Sequence, residues 1–221
     1  MFDLRIDEIA ALEPDAVILS KSHYLQRALL NKRGIKTLTA ETASINQALR
    51  TISDLAHLTG RVEEGRRLAQ GMVNEIGALV RERNSLAPRP ALVCVAHERD
   101  SLEKAVFVAP GNFLSEILEV AGGTNLAPKG EDAYAVAVEM TLEQIRAARP
   151  QVVIDLLPAE PTVTERLRAE SLWRDAFPIG QAPERIYAIH DPALGVPGPR
   201  IADQIRRLRR WLAPEPKSAL P

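Results

Sequence analysis

Two stretches of this sequence repeat one pattern. Residues 7–19 read DEIAALEPDAVIL and residues 143–155 read EQIRAARPQVVID, at a constant offset of 136 positions (7 to 143). Ile9 matches Ile145, Ala11 matches Ala147, Pro14 matches Pro150, Val17 matches Val153 and Ile18 matches Ile154. In each copy a short helix is expected to end before the proline, because the residue preceding proline is pushed out of the helical region. A short apolar strand follows at once. The matched positions are those a fold must bury, so the pattern reads as a duplicated helix–strand unit rather than a chance recurrence of a common phrase. A duplicated unit of this kind confines the chain to an α/β fold with two similar lobes. Interfaces between lobes are favoured ligand sites.

The rest of the chain fits that frame. Residues 16–19 form an apolar strand, and a helix over 24–33 stops at Gly34, a natural C-terminal cap. A strand over 35–39 precedes Ser44, which can cap a helix carrying Ile45, Leu49, Ile52 and Leu55 on one stripe. After Gly60 a long helix is expected over 62–84, its stripe Leu68, Met72, Ile76, Leu79 and Val80, until Pro88 and Pro90 stop it. Strands are expected at 91–96, 106–108, 152–154 and 185–189, and helices at 113–121, 141–148, 162–170 and 201–212. Arg206, Arg207, Arg209 and Arg210 on the last helix read most simply as a solvated face. Strands alternating with helices imply parallel sheets flanked by helices. The expected organisation is a partial N-terminal lobe at 1–60, a connecting helix at 61–87, a C-terminal lobe at 88–213 and a frayed proline-rich tail at 214–221.

Composition narrows the function. The chain has 221 residues, 46% of them hydrophobic and 26% charged, enough to bury a core. Its net charge of -1 and 4% aromatic content argue against a nucleic-acid surface, which needs basic residues and stacking platforms. One cysteine, Cys94, excludes an internal disulfide and a cysteine-rich zinc site. Asp3, Arg5, Asp7 and Glu8 interrupt any apolar run at the start, so the chain as written is expected to be soluble and without an export signal. There is no G-x-S-x-G, H-E-x-x-H or phosphate-loop lysine motif.

Several blocks resemble the solute-binding proteins of ABC importers that carry cobalamin, haem and ferric siderophores, the class whose two lobes are joined by a rigid helix. They are residues 7–19 with the following strand RGIKTLTA (33–40), the run 44–83 with its LTGR turn at 58–61, APGNFLSEILEVAGGTNLAP at 109–128, MTLEQIRAARPQVVI at 140–154, and VPGPRIADQIRRL at 196–208. Their order is what makes the match specific. The resemblance implies an extracytoplasmic binding component, a monomer, that captures a metal chelate in the inter-lobe cleft and delivers it to a membrane permease. A corrinoid such as cobalamin comes first as ligand, haem or a ferric siderophore next. No intrinsic cofactor is implied. The chain starts where the second strand–helix unit of that family's first lobe starts, which implies an incomplete N-terminal lobe. Where the cobalamin binders carry an acidic residue for docking on the permease, this chain has Tyr24 in the first lobe and falls near Gly195 in the second.

Candidate binding residues follow from strand ends. In open α/β sheets ligands sit beyond the carboxyl ends of the strands. Three of the four histidines fall there: His23, His97 and His190. A neutral imidazole can ligate a metal, exchange hydrogen bonds or lie against a macrocycle. Lys21 and Tyr24 flank His23, Arg99 follows His97, and Asp191 follows His190. Lys21 and Arg99 suit anionic edges of a ligand. Tyr134 lies in the loop 130–137, which the resemblance places at the cleft border. Gly111 and Asn112 open a helix, where they either receive an oxyanion or simply cap it. These histidines are expected to be solvated loop residues that contribute little to folding. Two other readings stand beside the binder: a metal-chelatase-like enzyme using a cleft histidine as proton acceptor, and a cytoplasmic remnant that has lost transport.

Overall fold

The computed structural model describes residues 5–85, 87–130 and 135–213. The chain divides into two compact units. One holds the residues up to Gly71 together with Pro197–Pro199, the other the residues from Met72 onward apart from those three.

The first unit runs α1 (Ile6–Ala11), β1 (Val17–Ser20), a single 3-10 turn (Lys21–His23), α2 (Tyr24–Lys32), β2 (Thr37–Ala40), α3 (Ile45–Leu58) and the start of α4 (Val62–Arg83). β1 and β2 pair in parallel, Val17 opposite Thr37. Ser44 caps α3 as its position suggests, its Oγ accepting from the Gln47 N–H at 3.1 Å. Gly65 is dictated by packing. A Cβ there would come within 2.2 Å of the Ala56 Cβ, so only a glycine lets α4 approach α3 this closely.

The second unit continues from α4 through β3 (Arg89–Glu98), β4 (Ser101–Val108), α5 (Phe113–Ala121), β5 (Gly123–Asn125), β6 (Ala137–Met140), α6 (Leu142–Ala148), β7 (Val152–Leu156), α7 (Val163–Asp175), β8 (Arg185–Ile189) and α8 (Ile201–Leu212). Its sheet has the order β6-β4-β3-β7-β8, with β5 pairing the first residues of β3. β5, β3, β7 and β8 are parallel, as alternating strands and helices demand. β4 and β6 run antiparallel, and this the periodicity did not anticipate. The strand expected at 106–108 begins at Ser101, so β3 and β4 form a hairpin turning at Arg99 and Asp100.

The core of this unit gathers Leu92, Phe107, Met140, Ile145, Val153, Trp173 and Phe177. Burial of such side chains is worth roughly 1.5–3 kcal/mol each. The two copies of the internal repeat become α1–β1 and α6–β7, in separate sheets. The arginines of α8 are not merely solvated. Arg206 pairs with Glu75 at 2.9 Å, Arg209 with Glu82 at 2.5 Å, and Arg207 with Asp191. Among the described residues no helix is long and apolar enough to cross a membrane.

Candidate functional site

β3 and β7 lie side by side in parallel, Cys94 opposite Asp155. The apolar run Val152-Val153-Ile154 drives β7 into the core, and it carries Asp155 in with it. A carboxylate only 1% exposed must be compensated. Two donors do so. Trp173 Nε1 donates to Asp155 Oδ2 at 3.0 Å, and His97 Nε2 stands 2.9 Å from the same oxygen. Trp173 comes from α7, whose first turn is fixed by a reciprocal cap between Thr162 and Glu165. The Trp173 ring meets His97 and Phe107 edge to face, centroids 6.3 and 6.0 Å apart.

The other nitrogen of His97, Nδ1, lies 2.6 Å from the carbonyl oxygen of Glu98. Both neighbours are acceptors, so this setting favours hydrogen on both ring nitrogens. The hydrogen bond to Asp155 raises the His97 pKa above its ordinary value, burial opposing. This corrects one expectation. His97 belongs to β3 rather than a loop, and its side chain is largely buried with both ring nitrogens facing acceptors. Cys94 is equally constrained. Burial first, and the Asp155 charge second, push its thiol well above the ordinary range, so it stays protonated.

Over this group opens a cavity of about 450 Å³ at the carboxyl ends of β3 and β7. Val95, Leu156, Leu157, Pro158 and Pro161 form its apolar wall, and His97, Asp155 and Arg99 supply polar groups. Arg168, also on the wall, is paired with Asp100. A largely apolar wall with a few fixed polar groups is the usual form of a small-molecule site.

The remaining candidates lie elsewhere. Lys21, His23 and Tyr24 line a cavity of about 330 Å³ within the first unit, together with Ser20, Arg27, Thr39 and Glu41. There the Ser20 hydroxyl bonds His23 Nδ1 at 2.7 Å, and Arg27 donates to Thr39 Oγ1 at 2.9 Å. His190 Nδ1 donates to the Leu157 carbonyl at 2.9 Å, which ties it to a wall residue of the larger site. Asp191 is occupied otherwise, accepting from Arg207 and from the Ala193 N–H, the latter at 3.1 Å. Asn112 acts as a cap, its Oδ1 accepting from the Ser115 N–H at 3.0 Å. Tyr134 lies outside the described residues. Among the described residues no group of three or more His, Cys, Asp or Glu gathers to hold a metal ion.

Asp155 and Trp173 are the site residues that sequence reasoning missed. The available signal was an acidic residue closing an apolar strand run, where a solvated residue would normally mark the strand's exit.

With the fold and the site in view, comparison with known proteins assigns the class. The chain belongs to the periplasmic binding protein family, whose model matches residues 3–176. It is 24% identical over 182 residues to the vitamin B12-binding protein of Salmonella choleraesuis (strain SC-B67), covering 81% of this chain and 64% of that one. The chain thus spans just under two thirds of the length of that relative. The periplasmic vitamin B12 binding protein of Vibrio cholerae superposes with a TM-score of 0.74 at 21% identity, over 95% of this chain and 78% of that one. A periplasmic haem-binding protein from Roseiflexus sp. RS-1, in its apo form, superposes at 0.72 with 20% identity, over 95% and 80%.

Proposed function

We propose that this chain is the substrate-binding component of an ABC importer, extracytoplasmic in location, that captures a metal chelate and hands it to a membrane permease. A corrinoid is the first ligand class, haem or a ferric siderophore the next. The observation that carries this reading is the cavity at the ends of β3 and β7: an apolar wall for the body of a chelate, with Arg99 and His97 for its polar periphery. The family match supports the binding role, and the curated relative is named for vitamin B12. Binding without bond making is also what the site chemistry favours. A proton acceptor for metal insertion needs a free imidazole nitrogen, whereas both nitrogens of His97 face acceptors.

The test is thermal unfolding of the purified protein with cyanocobalamin, haemin and a ferric hydroxamate added in turn. The expected result is a midpoint that rises with ligand concentration by mass action for one of them, with the chelate recovered unchanged. Catalytic metallation or demetallation, or no shift with any of the three, overturns the proposal.

A further inference from the structure

In the first unit β1 is paired on one side only. Its parallel ladder with β2 runs in register from Val17 opposite Thr37 to Ser20 opposite Ala40. The Val17 N–H donates to the Lys36 carbonyl at 2.9 Å, and along a parallel ladder alternate residues bond the same neighbour. Val17 and Leu19 therefore bond β2, and the N–H and C=O groups of Ile18 and Ser20 point away from it. Among the described residues no other strand takes them. Open edges are usually blunted by a charge, a proline or a bulge, and the strand VILS, in regular register, has none of these. Its surroundings are apolar as well. Ile18 is 53% exposed, and Leu25 and Leu29, one turn apart on α2, are 59% and 47% exposed. β2 differs. It is half-buried throughout, and the residue after it, Glu41, is tied to α3, its N–H donating to Thr51 Oγ1 at 3.1 Å and its carbonyl accepting from the same hydroxyl at 2.8 Å. The charges that flank β1 have opposite signs: Glu13 and Asp15 precede it and Lys21 follows it, all three exposed.

We propose that the open edge of β1 pairs with the same edge of a second copy of this chain, antiparallel about a two-fold axis at Leu19, so that two two-stranded sheets become one sheet of four strands. In that register Ile18 of each copy faces Ser20 of the other, and both pairs exchange hydrogen bonds through the N–H and C=O groups already directed outward. Lys21 comes opposite Val17 of the second copy and diagonal to its Asp15, a separation of about 7–8 Å that a lysine side chain spans. The opposite signs at the two ends of β1 are what select a copy running antiparallel, since a parallel approach sets like charges side by side. The contact is isologous, each copy offering the same surface. A four-residue edge with a few flanking leucines lies at the low end of specific interfaces, so the association is weak and depends on concentration. This dimer departs from the monomer that the family resemblance implies. It uses no residue of the cavity at the ends of β3 and β7, and the chelate reading does not depend on it.

The experiment is sedimentation equilibrium of the whole protein from about 1 µM to about 300 µM, the range in which a weak dimer comes apart and re-forms. The expected result is the monomer mass at the dilute end and a reversible rise toward twice that mass at the concentrated end. Ile18→Lys places a charge on the edge and should weaken association at least about tenfold. Ser20→Pro removes an outward N–H at a position whose φ of -73° already suits proline, and should weaken it likewise. Thermal midpoints at the dilute end check that both variants fold; should Ile18→Lys not fold, Ser20→Pro decides. Lys21→Asp and Asp15→Lys should each weaken the dimer, and the two together should restore it. A monomer mass at every concentration, a dimer indifferent to both edge substitutions, or a charge exchange that restores nothing overturns the proposal.

Discussion

Glu13 and Arg149 adopt the same left-handed backbone conformation, φ 48° and 50°, 136 positions apart. Among the described residues they are the non-glycine residues with positive φ. Each ends a short helix, each precedes a proline, and each N–H bonds the carbonyl three residues back, at Ala10 and Arg146. The duplication visible in the sequence therefore extends to a strained turn that nothing in the residue types announces.

That turn gives the first prediction. A left-handed conformation costs a residue bearing Cβ about 1–2 kcal/mol, and glycine escapes most of that at some cost in chain entropy. Arg149→Gly and Glu13→Gly should each leave stability unchanged or raise it by up to about 1 kcal/mol. Valine at either place should lower it by at least that amount. Urea unfolding checks both. Equal destabilisation by glycine and valine contradicts the assignment of strain.

The buried carboxylate gives the second. Asp155→Ala removes the partner of both His97 and Trp173 and should cost about 3–5 kcal/mol, as when one member of a buried pair is lost. Trp173→Phe leaves Asp155 one donor short and should cost about 1–3 kcal/mol beyond the lost volume. Denaturant midpoints of the two variants and of their combination measure the coupling. Strictly additive losses contradict a shared network.

Much of the fold was legible, and the failures have physical causes. α8 was bounded to the residue and α4 to within one, because a long helix repeats its apolar stripe often enough to be unmistakable. β4 was seen only at its apolar end, since Glu103 and Lys104 interrupt its start. β3 runs to Glu98, past the apolar run that ends at Ala96, where His97 and Glu98 look like an exit to solvent. The ion pairs of Arg206 and Arg209 join residues more than a hundred positions apart, which no local pattern records. The site divided in the same way. His97 and Arg99 were found from strand ends, whereas Asp155 was hidden because its partners come from β3 and α7.

The third prediction concerns pH. The folded protein raises the His97 pKa, through the hydrogen bond to Asp155. A raised pKa means that the folded state holds this proton more tightly than the unfolded state. The stabilisation is fully present below the unfolded value of about 6.5 and is lost as pH rises through the folded value. Urea unfolding from about pH 6 upward should show a loss of stability that His97→Gln abolishes. A His97→Gln variant with the same slope as the parent assigns the loss to other groups.

Gly65 gives the fourth. Gly65→Leu forces a side chain into the Ala56 Cβ and should part α3 from α4 at a cost of about 1–3 kcal/mol, the range for overpacking. Gly71, where a Cβ would meet nothing within 4 Å, is the control. Gly71→Ala should be neutral or stabilising, by up to about 1 kcal/mol. A neutral Gly65→Leu contradicts the close approach.

The central claim is that a chelate occupies the cavity of the second unit, and filling that cavity tests it most directly. Ala159 is exposed on the loop that walls it, so Ala159→Trp occupies the space without burdening the core. Equilibrium dialysis against cyanocobalamin, haemin and a ferric hydroxamate is then run on the parent and on the variant, with thermal midpoints of both recorded in the absence of ligand. The parent is expected to bind one of these chelates and Ala159→Trp to weaken that binding at least about tenfold, ~1.4 kcal/mol, while the empty protein melts at the same temperature. A parent and variant that bind with equal affinity place the chelate elsewhere and contradict the account.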